Sequence, residues 1–212
     1  MSLSAPKKTS FRIGVIIGSQ RKPRCGDQIT DFVLNTIKSH QDSKQPGQRQ
    51  ITFQVIDIAG LDLPLFDEPG VPSQIKDPSG YAHEHTRAWS RTVAALDAFV
   101  FVTPQYNWGI PAGLKNALDY LFNEWKGKPA MVVAYGGHGG DKCAAAMKVV
   151  LGGGLDMKVV DETVNLSFPS RGVLYKAAGG EDLGLDAGSE RSMWAGERSK
   201  IVEVWEKMEQ SL

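Results

Sequence analysis

Apolar positions in this chain switch repeatedly between two periods. Residues 11–17 (FRIGVII) form a short run rich in β-branched side chains that stops at Gly18-Ser19, the pattern of a buried strand. Over 27–39 the apolar residues Ile29, Phe32, Val33 and Ile37 recur at helical spacing. The polar stretch 41–50, with Pro46-Gly47, reads as a loop, and 51–58 (ITFQVIDI) alternates as a second strand. Pro64, Pro69, Pro72 and Pro78 keep 59–79 out of helix, because each removes a backbone donor and clashes with the preceding turn. Helical spacing returns over 81–96, followed by a buried-type strand at 98–102 (AFVFV). The clearest helix spans 111–125, with Pro111 at its first turn and Ile110, Leu114, Leu118 and Leu121 along one side. A strand at 130–135 (AMVVAY), a helix at 141–151, a last strand beginning at 157–160 and a closing helix over 188–208 complete the series.

Strand and helix alternating five times predict a doubly wound α/β fold, a five-stranded parallel sheet with helices on both faces. No internal repeat or linker divides the chain, so residues 11–212 are expected to form one domain behind a disordered lead-in at 1–10. Its 212 residues suffice to bury a core without disulfides.

Composition narrows the function. Lys+Arg and Asp+Glu both number 24, and zero net charge argues against nucleic acid as the main partner. The two cysteines, Cys25 and Cys143, are too far apart for metal-ligand spacing and fit a reducing compartment. Cys25 falls in a loop, whereas Cys143, ahead of an alanine run, reads as a helix-face residue. No segment is long and apolar enough to span a membrane, and MSLSAPKKTS lacks the apolar stretch of a signal peptide, so a cytoplasmic protein is expected.

In an open parallel sheet, ligands bind outside the carboxyl ends of the strands, near the point where strand order reverses. The loops after the first, third and fourth strands are therefore the candidates. The first, Gly18-Ser19-Gln20-Arg21-Lys22-Pro23-Arg24, offers an anion the amides and dipole of a helix N-terminus, a hydroxyl from Ser19 and forked donors from Arg21 and Arg24. It lacks the Gly-Lys-Ser/Thr close of a Walker A loop, and no GxGxxG follows the first strand. The second carries Pro104, Gln105, Tyr106, Asn107 and Trp108 between two prolines, a restrained display of flat rings and amides suited to a planar heteroaromatic ligand. The third sets His138 among Gly136, Gly137, Gly139 and Gly140, where the backbone can approach a ligand closely and offer its N–H groups. His83-Glu84-His85 sits at a helix start where alternate residues diverge, and reads as a solvated turn, so no metal site is expected. A hydrolase or phosphatase is disfavoured: there is no GxSxG elbow, and neither cysteine has an arginine six residues on.

With GSQR at 18–21, TPQYNWGIPAGLKNALDYL at 103–121 and YGGHGG at 135–140, the chain resembles the NADPH-dependent FMN reductase family of flavodoxin-like proteins. The central segment matches the family's Pro-Glu-Tyr-Asn…Pro…Leu-Lys-Asn-Ala…Asp pattern, and is most similar to eukaryotic, fungal-type quinone reductases, which tend to read Pro-Gln-Tyr-Asn. The resemblance spans about residues 11–160. It implies a flavodoxin-like sheet of order 2-1-3-4-5, FMN as cofactor, and NADPH or NADH as hydride donor. Hydride would pass through flavin N5, by ping-pong kinetics, to small acceptors such as quinones, free flavin, azo dyes or metal oxyanions. It implies that Ser19 and Arg21, joined by Arg24, hold the FMN phosphate, although Pro23 and Gly26 depart from the usual Ser and Asn. Pro104, Gln105, Tyr106, Asn107 and Trp108 would line the isoalloxazine, and Gly137, His138, Gly139 and Gly140 its other edge, with no catalytic side chain required. It also implies a homodimer, or a tetramer. The alternative is an FMN-binding redox sensor or electron carrier acting through protein partners, against which zero net charge counts because carriers tend to be strongly acidic.

Overall fold

The computed structural model describes residues 8–44 and 49–212. Six strands, β1 (Ser10–Ile17), β2 (Gln50–Asp57), β3 (Ala98–Pro104), β4 (Pro129–Gly136), β5 (Lys158–Val159) and β6 (Val164–Ser167), form one sheet in the order β2-β1-β3-β4-β5. Every ladder is parallel, as the strand–helix alternation requires. The fifth position is shared: β5 pairs with Pro129 and Ala130 of β4, while β6 pairs with Val133 to Gly136 of the same strand. The single last strand expected from the sequence is thus broken in two.

The helices are α1 (Gly26–Asp42), α2 (Glu84–Ala94), α3 (Ala112–Asp119), α4 (Asp141–Lys148), α5 (Arg171–Gly179) and α6 (Arg198–Glu209). All of β3 is buried, which explains why AFVFV reads as a continuous apolar run. Its residues divide by parity. Phe99 and Phe101 pack with Trp89, Trp125 and Leu118 in one core under α2, α3 and α4. Val100 and Val102 join Phe32, Val33, Val204 and Trp205 in the other, under α1 and α6.

Several boundaries differ from the expected ones, each for a local reason. β1 begins at Ser10, inside the predicted lead-in, whose first seven residues lie outside those described, as do 45–48 of the loop expected at 41–50. α1 runs three residues further than expected, to Asp42. α2 starts only at Glu84, because the Glu68 carboxylate holds the amides of Ala82 and His83 at 2.8 and 3.0 Å. The closing helix shortens to Arg198–Glu209. Ahead of it, Ser192 Oγ accepts from the Asp186 amide at 2.9 Å and Asp186 accepts from Gly188 at 2.8 Å, local bonds that compete with helix. Trp194 then takes a φ of 68° and donates through its indole to Ser167 O at 2.7 Å, tying this segment to β6.

Candidate functional site

The loops after β1, β3 and β4 meet at the carboxyl end of the sheet around a cleft of about 420 Å³, within the ordinary range of small-ligand sites of about 300–1,000 Å³. Ser19, Arg21 and Arg24 line it from the first loop, Pro104, Gln105 and Tyr106 from the second, and Gly137 and His138 from the third. Asn107, Trp108, Gly139 and Gly140 do not line it; they shape the loops that do.

The first loop folds tightly because Gly18 has no side chain: a Cβ there would meet Thr103 Oγ1 at 2.7 Å. Ser19 is buried, and its Oγ lies 2.8 Å from the Tyr106 hydroxyl. Arg21 is exposed, its guanidinium 4.9 Å from the centre of the Tyr106 ring, a cation–π contact that aims the charge across the cleft mouth. Arg24 is differently committed. It grips Asp57 at the end of β2 through two bonds of 2.9 and 2.7 Å, and Asp27 at 2.8 Å. The hydrogen bonds it donates to Asp57 raise the arginine's pKa, and Arg24 holds the Asp57 carboxyl below its usual range. Arg24 therefore clasps the loop to β2, while Arg21 keeps its donors for a ligand. The first intrahelical amide of α1 is that of Ile29, bonded to Cys25 O at 3.1 Å, so the amides before it complete the anion-attracting end.

In the second loop, Tyr106 and Gly109 exchange backbone hydrogen bonds of 3.1 and 2.9 Å around Asn107 (φ 47°) and Trp108 (φ 65°). Positive φ at both central positions is the pattern of a type I′ turn, and for a tryptophan it is a strained one. The Trp108 ring is stacked on His138, with centroids 5.5 Å apart and planes within 16°. That stack joins the second loop to the third.

Gln105 joins them again. Gly140 stands at the N-cap of α4 and has no side chain to offer, so Gln105 Oε1 accepts from the amides of Lys142 and Cys143, each at 3.0 Å. These are the amides an N-cap side chain would satisfy. Gln105→Ala is expected to cost about 1 kcal/mol, read as a fall of roughly 2–4 °C in Tm. Gln105→Glu, which keeps the acceptor at the positive end of the helix, should not show this loss in the same melting experiment.

The cleft also has a wall the sequence did not reveal. Phe168 and α5, through Leu174, Tyr175, Ala177 and Ala178, line it, as do Cys25 and Tyr135. The signals for α5 are present in hindsight: Ser170 caps its start by accepting from the Val173 amide, and Gly180 ends it with a φ of 70°. Burial pushes the thiols of both Cys25 and Cys143 up to about 11, so neither is a ready nucleophile. His83 and His85, partly exposed at the turn into α2, stack on each other beside Asp67, with His85 Nε2 3.1 Å from its carboxylate. Among the described residues no group of three or more His, Cys, Asp and Glu side chains is placed to hold a metal ion.

The cleft is thus amphipathic. Ser19, Arg21 and the start of α1 bring it a hydroxyl, a guanidinium and helix amides, while Pro104, Phe168, Leu174 and glycine backbone give it apolar and flat surface. An anionic group joined to a flat ring system fits both parts.

Comparison with known proteins follows the same line. The sequence model of the NADPH-dependent FMN reductase family matches residues 11–169. The chain is 48% identical over 152 residues to the NAD(P)H-dependent FMN reductase LOT6 of Saccharomyces cerevisiae, covering 71% of this chain and 78% of that one. It is 32% identical over 203 residues to the NAD(P)H-dependent FMN reductase ntnL of a Nectria species, covering 95% and 96%. Among solved structures, the flavoenzyme NAD(P)H:(acceptor) oxidoreductase FerB from Paracoccus denitrificans has a TM-score of 0.61 at 22% identity, over 93% of this chain and 98% of that one, a likeness of fold.

Proposed function

We propose, from the premise that this chain belongs to the NADPH-dependent FMN reductase family, that it binds FMN in the cleft and passes reducing equivalents from NAD(P)H to small acceptors such as quinones. The observation that carries the reading is that one cleft joins anion-binding groups of the first loop to apolar side chains and glycine backbone. A phosphate suits Ser19, Arg21 and the free amides of α1, and an isoalloxazine suits the loop of Tyr106 and the glycine backbone at Gly136 and Gly137. When bound, FMN would supply reversible hydride acceptance, a chemistry the side chains lining the cleft lack.

The polypeptide's part is to bind, orient and exclude. Ser19, beside the Tyr106 hydroxyl, would donate its hydroxyl to the phosphate, and Arg21, packed on the Tyr106 ring, would neutralise its charge. The backbone amides of the glycine loop offer donors to a polar ring edge. No acid–base pair is needed from the protein, since a quinone can take its protons from water. The buried Cys25 thiol stays protonated and does not compete as a nucleophile. Two further elements belong to the same proposal. A homodimer is supported by Leu65, Phe66 and Val71, apolar side chains left exposed in the segment after β2, and sedimentation velocity tests it. A cytosolic setting agrees with two buried free cysteines, and no helix among the described residues is long and apolar enough to cross a membrane.

The test is an absorbance spectrum of the purified, FMN-loaded protein during anaerobic addition of NADPH. Bleaching, reversed by menadione, is the expected result, with parallel double-reciprocal lines in steady state. Bound flavin that NAD(P)H leaves unbleached would favour the carrier or sensor alternative. Failure to retain FMN at all would end the proposal.

A further inference from the structure

Tyr135 is the penultimate residue of β4, on the sheet face it shares with Met131 and Val133, the face that packs against α1. Its side chain is buried, 4% exposed, yet it lines the cleft. Its hydroxyl reaches the first turn of α1. A Cβ on Gly26, the first residue of that helix, would lie 3.0 Å from Tyr135 Oη, 3.3 Å from Ile17 Cγ2 and 3.4 Å from Ser19 Cβ. Any side chain at 26 would crowd the phenol, so glycine there is what lets Tyr135 come so close to the helix end.

Donors outnumber acceptors around this hydroxyl. Ser19 is its side-chain hydrogen-bond neighbour, and Ser19 Oγ also meets the Tyr106 hydroxyl at 2.8 Å. The amides of the α1 N-terminus and the nearby Arg24 guanidinium are donors only. Burial, reinforced by Cys25 and Tyr106, raises the Tyr135 pKa well above its ordinary value, so the group remains a neutral O–H throughout the working pH range. A buried phenol pointed into a set of donors is stabilised by a ligand that brings only acceptors.

We propose that Tyr135 is a cofactor-phosphate ligand of this chain, its hydroxyl donating to an oxygen of the phosphate held between Ser19 and the first turn of α1, through the gap that Gly26 leaves open. The inference rests on FMN occupying the cleft as described above. Ser19 from the first loop and Tyr135 from β4 then meet on one anion. Tyr135 belongs to the sheet itself, so it gives the phosphate a fixed wall.

Dissociation constants of FMN and of riboflavin, which has the same ring and no phosphate, should be measured by fluorescence titration for the wild type and for Tyr135→Phe. Wild type is expected to prefer FMN. Tyr135→Phe should lose about tenfold in affinity for FMN, the worth of one hydrogen bond to a charged acceptor, and nothing for riboflavin. Gly26→Ala, which displaces the phenol without removing it, should show the same FMN-selective loss. Apo-protein melting curves accompany both variants, and Tyr135→Phe, which removes one oxygen, is expected to melt as wild type does. Unchanged FMN affinity in Tyr135→Phe would overturn the inference while leaving the FMN site intact. Equal losses for both ligands would overturn it too, by moving the residue's effect to the ring or the fold. A wild type that does not distinguish FMN from riboflavin would remove the phosphate site on which the inference stands.

Discussion

Gly140→Ala is expected to lower the stability of the folded chain by about 2–5 kcal/mol, the sum of a backbone cost and a steric one. Gly140 has a φ of 81°, in the left-handed region, where an L-residue costs roughly 1–2 kcal/mol. An added Cβ would also lie 2.8 Å from both Ala134 Cβ and the Tyr135 amide nitrogen. Those atoms belong to the central strand β4 and cannot swing aside as a flexible side chain would, so the loop must shift, at about 1–3 kcal/mol. Gly139 supplies the control. Its φ is 76°, but an added Cβ would find nothing closer than 3.7 Å, so Gly139→Ala should cost only the backbone share, roughly 1–2 kcal/mol. Urea unfolding of both variants separates the two costs: the midpoint should fall further for Gly140→Ala, at unchanged slope. Equal shifts would mean that the strand accommodates the methyl group. Because Gly140 also sets the start of α4, its substitution should loosen the bonds that Gln105 makes to Lys142 and Cys143.

The second large effect concerns which arginine meets the ligand. Arg21→Ala is expected to weaken FMN binding by roughly 10–150-fold, the range for a hydrogen bond to a charged group, with little change in melting temperature. Arg24→Ala should do the reverse. It removes the clasp between the first loop and Asp57, leaving that carboxylate without its bidentate partner. Asp57 is itself partly exposed, its side chain at 38%, so the loss of stability is moderated by solvent. The sign of the pH dependence follows from the lowered Asp57 pKa: the clasp contributes above the ordinary aspartate range and is lost as pH falls through the folded value. Arg24→Ala should therefore flatten the acid side of the stability profile, and Arg21→Ala should leave it unchanged. FMN titration and acid melts on the two variants check both halves. A larger loss of FMN affinity from Arg24→Ala than from Arg21→Ala would reverse the assignment.

These contrasts show where sequence reasoning stops. The stripe Ile29, Phe32, Val33 and Ile37 predicts α1 because one helix face must meet one sheet face, and all four are buried. The unbroken apolar runs of β3 and β4 predict central strands for the same reason. β6 is four residues long, too short for an alternation to establish itself, and α5 buries only Ala177, so no apolar stripe marks it; it turns Leu174, Ala177 and Ala178 toward the cleft. The three loops that make the site are visible as composition, but the pairings inside them are not. Arg24 finds Asp57 33 positions away, and Gln105 caps a helix 37 positions on. Nothing in the local pattern distinguishes Arg21 from Arg24; only the carboxylate waiting at the end of β2 does. Tyr135 is hidden by its own success as a strand residue, since AMVVAY reads as core whether or not its last hydroxyl faces a ligand.

The turn that carries Trp108 has a spectroscopic consequence. Trp89, Trp125 and Trp205 are at most 2% exposed, whereas Trp108 is 59% exposed and stands on His138 at the edge of the cleft. An aqueous quencher such as acrylamide therefore reaches Trp108 far more readily than those three indoles, and once the partly exposed Trp194 is replaced by Phe, the quenchable part of the emission reports on the junction of the second and third loops. The molecule carries a built-in optical gauge of that junction, readable without a label.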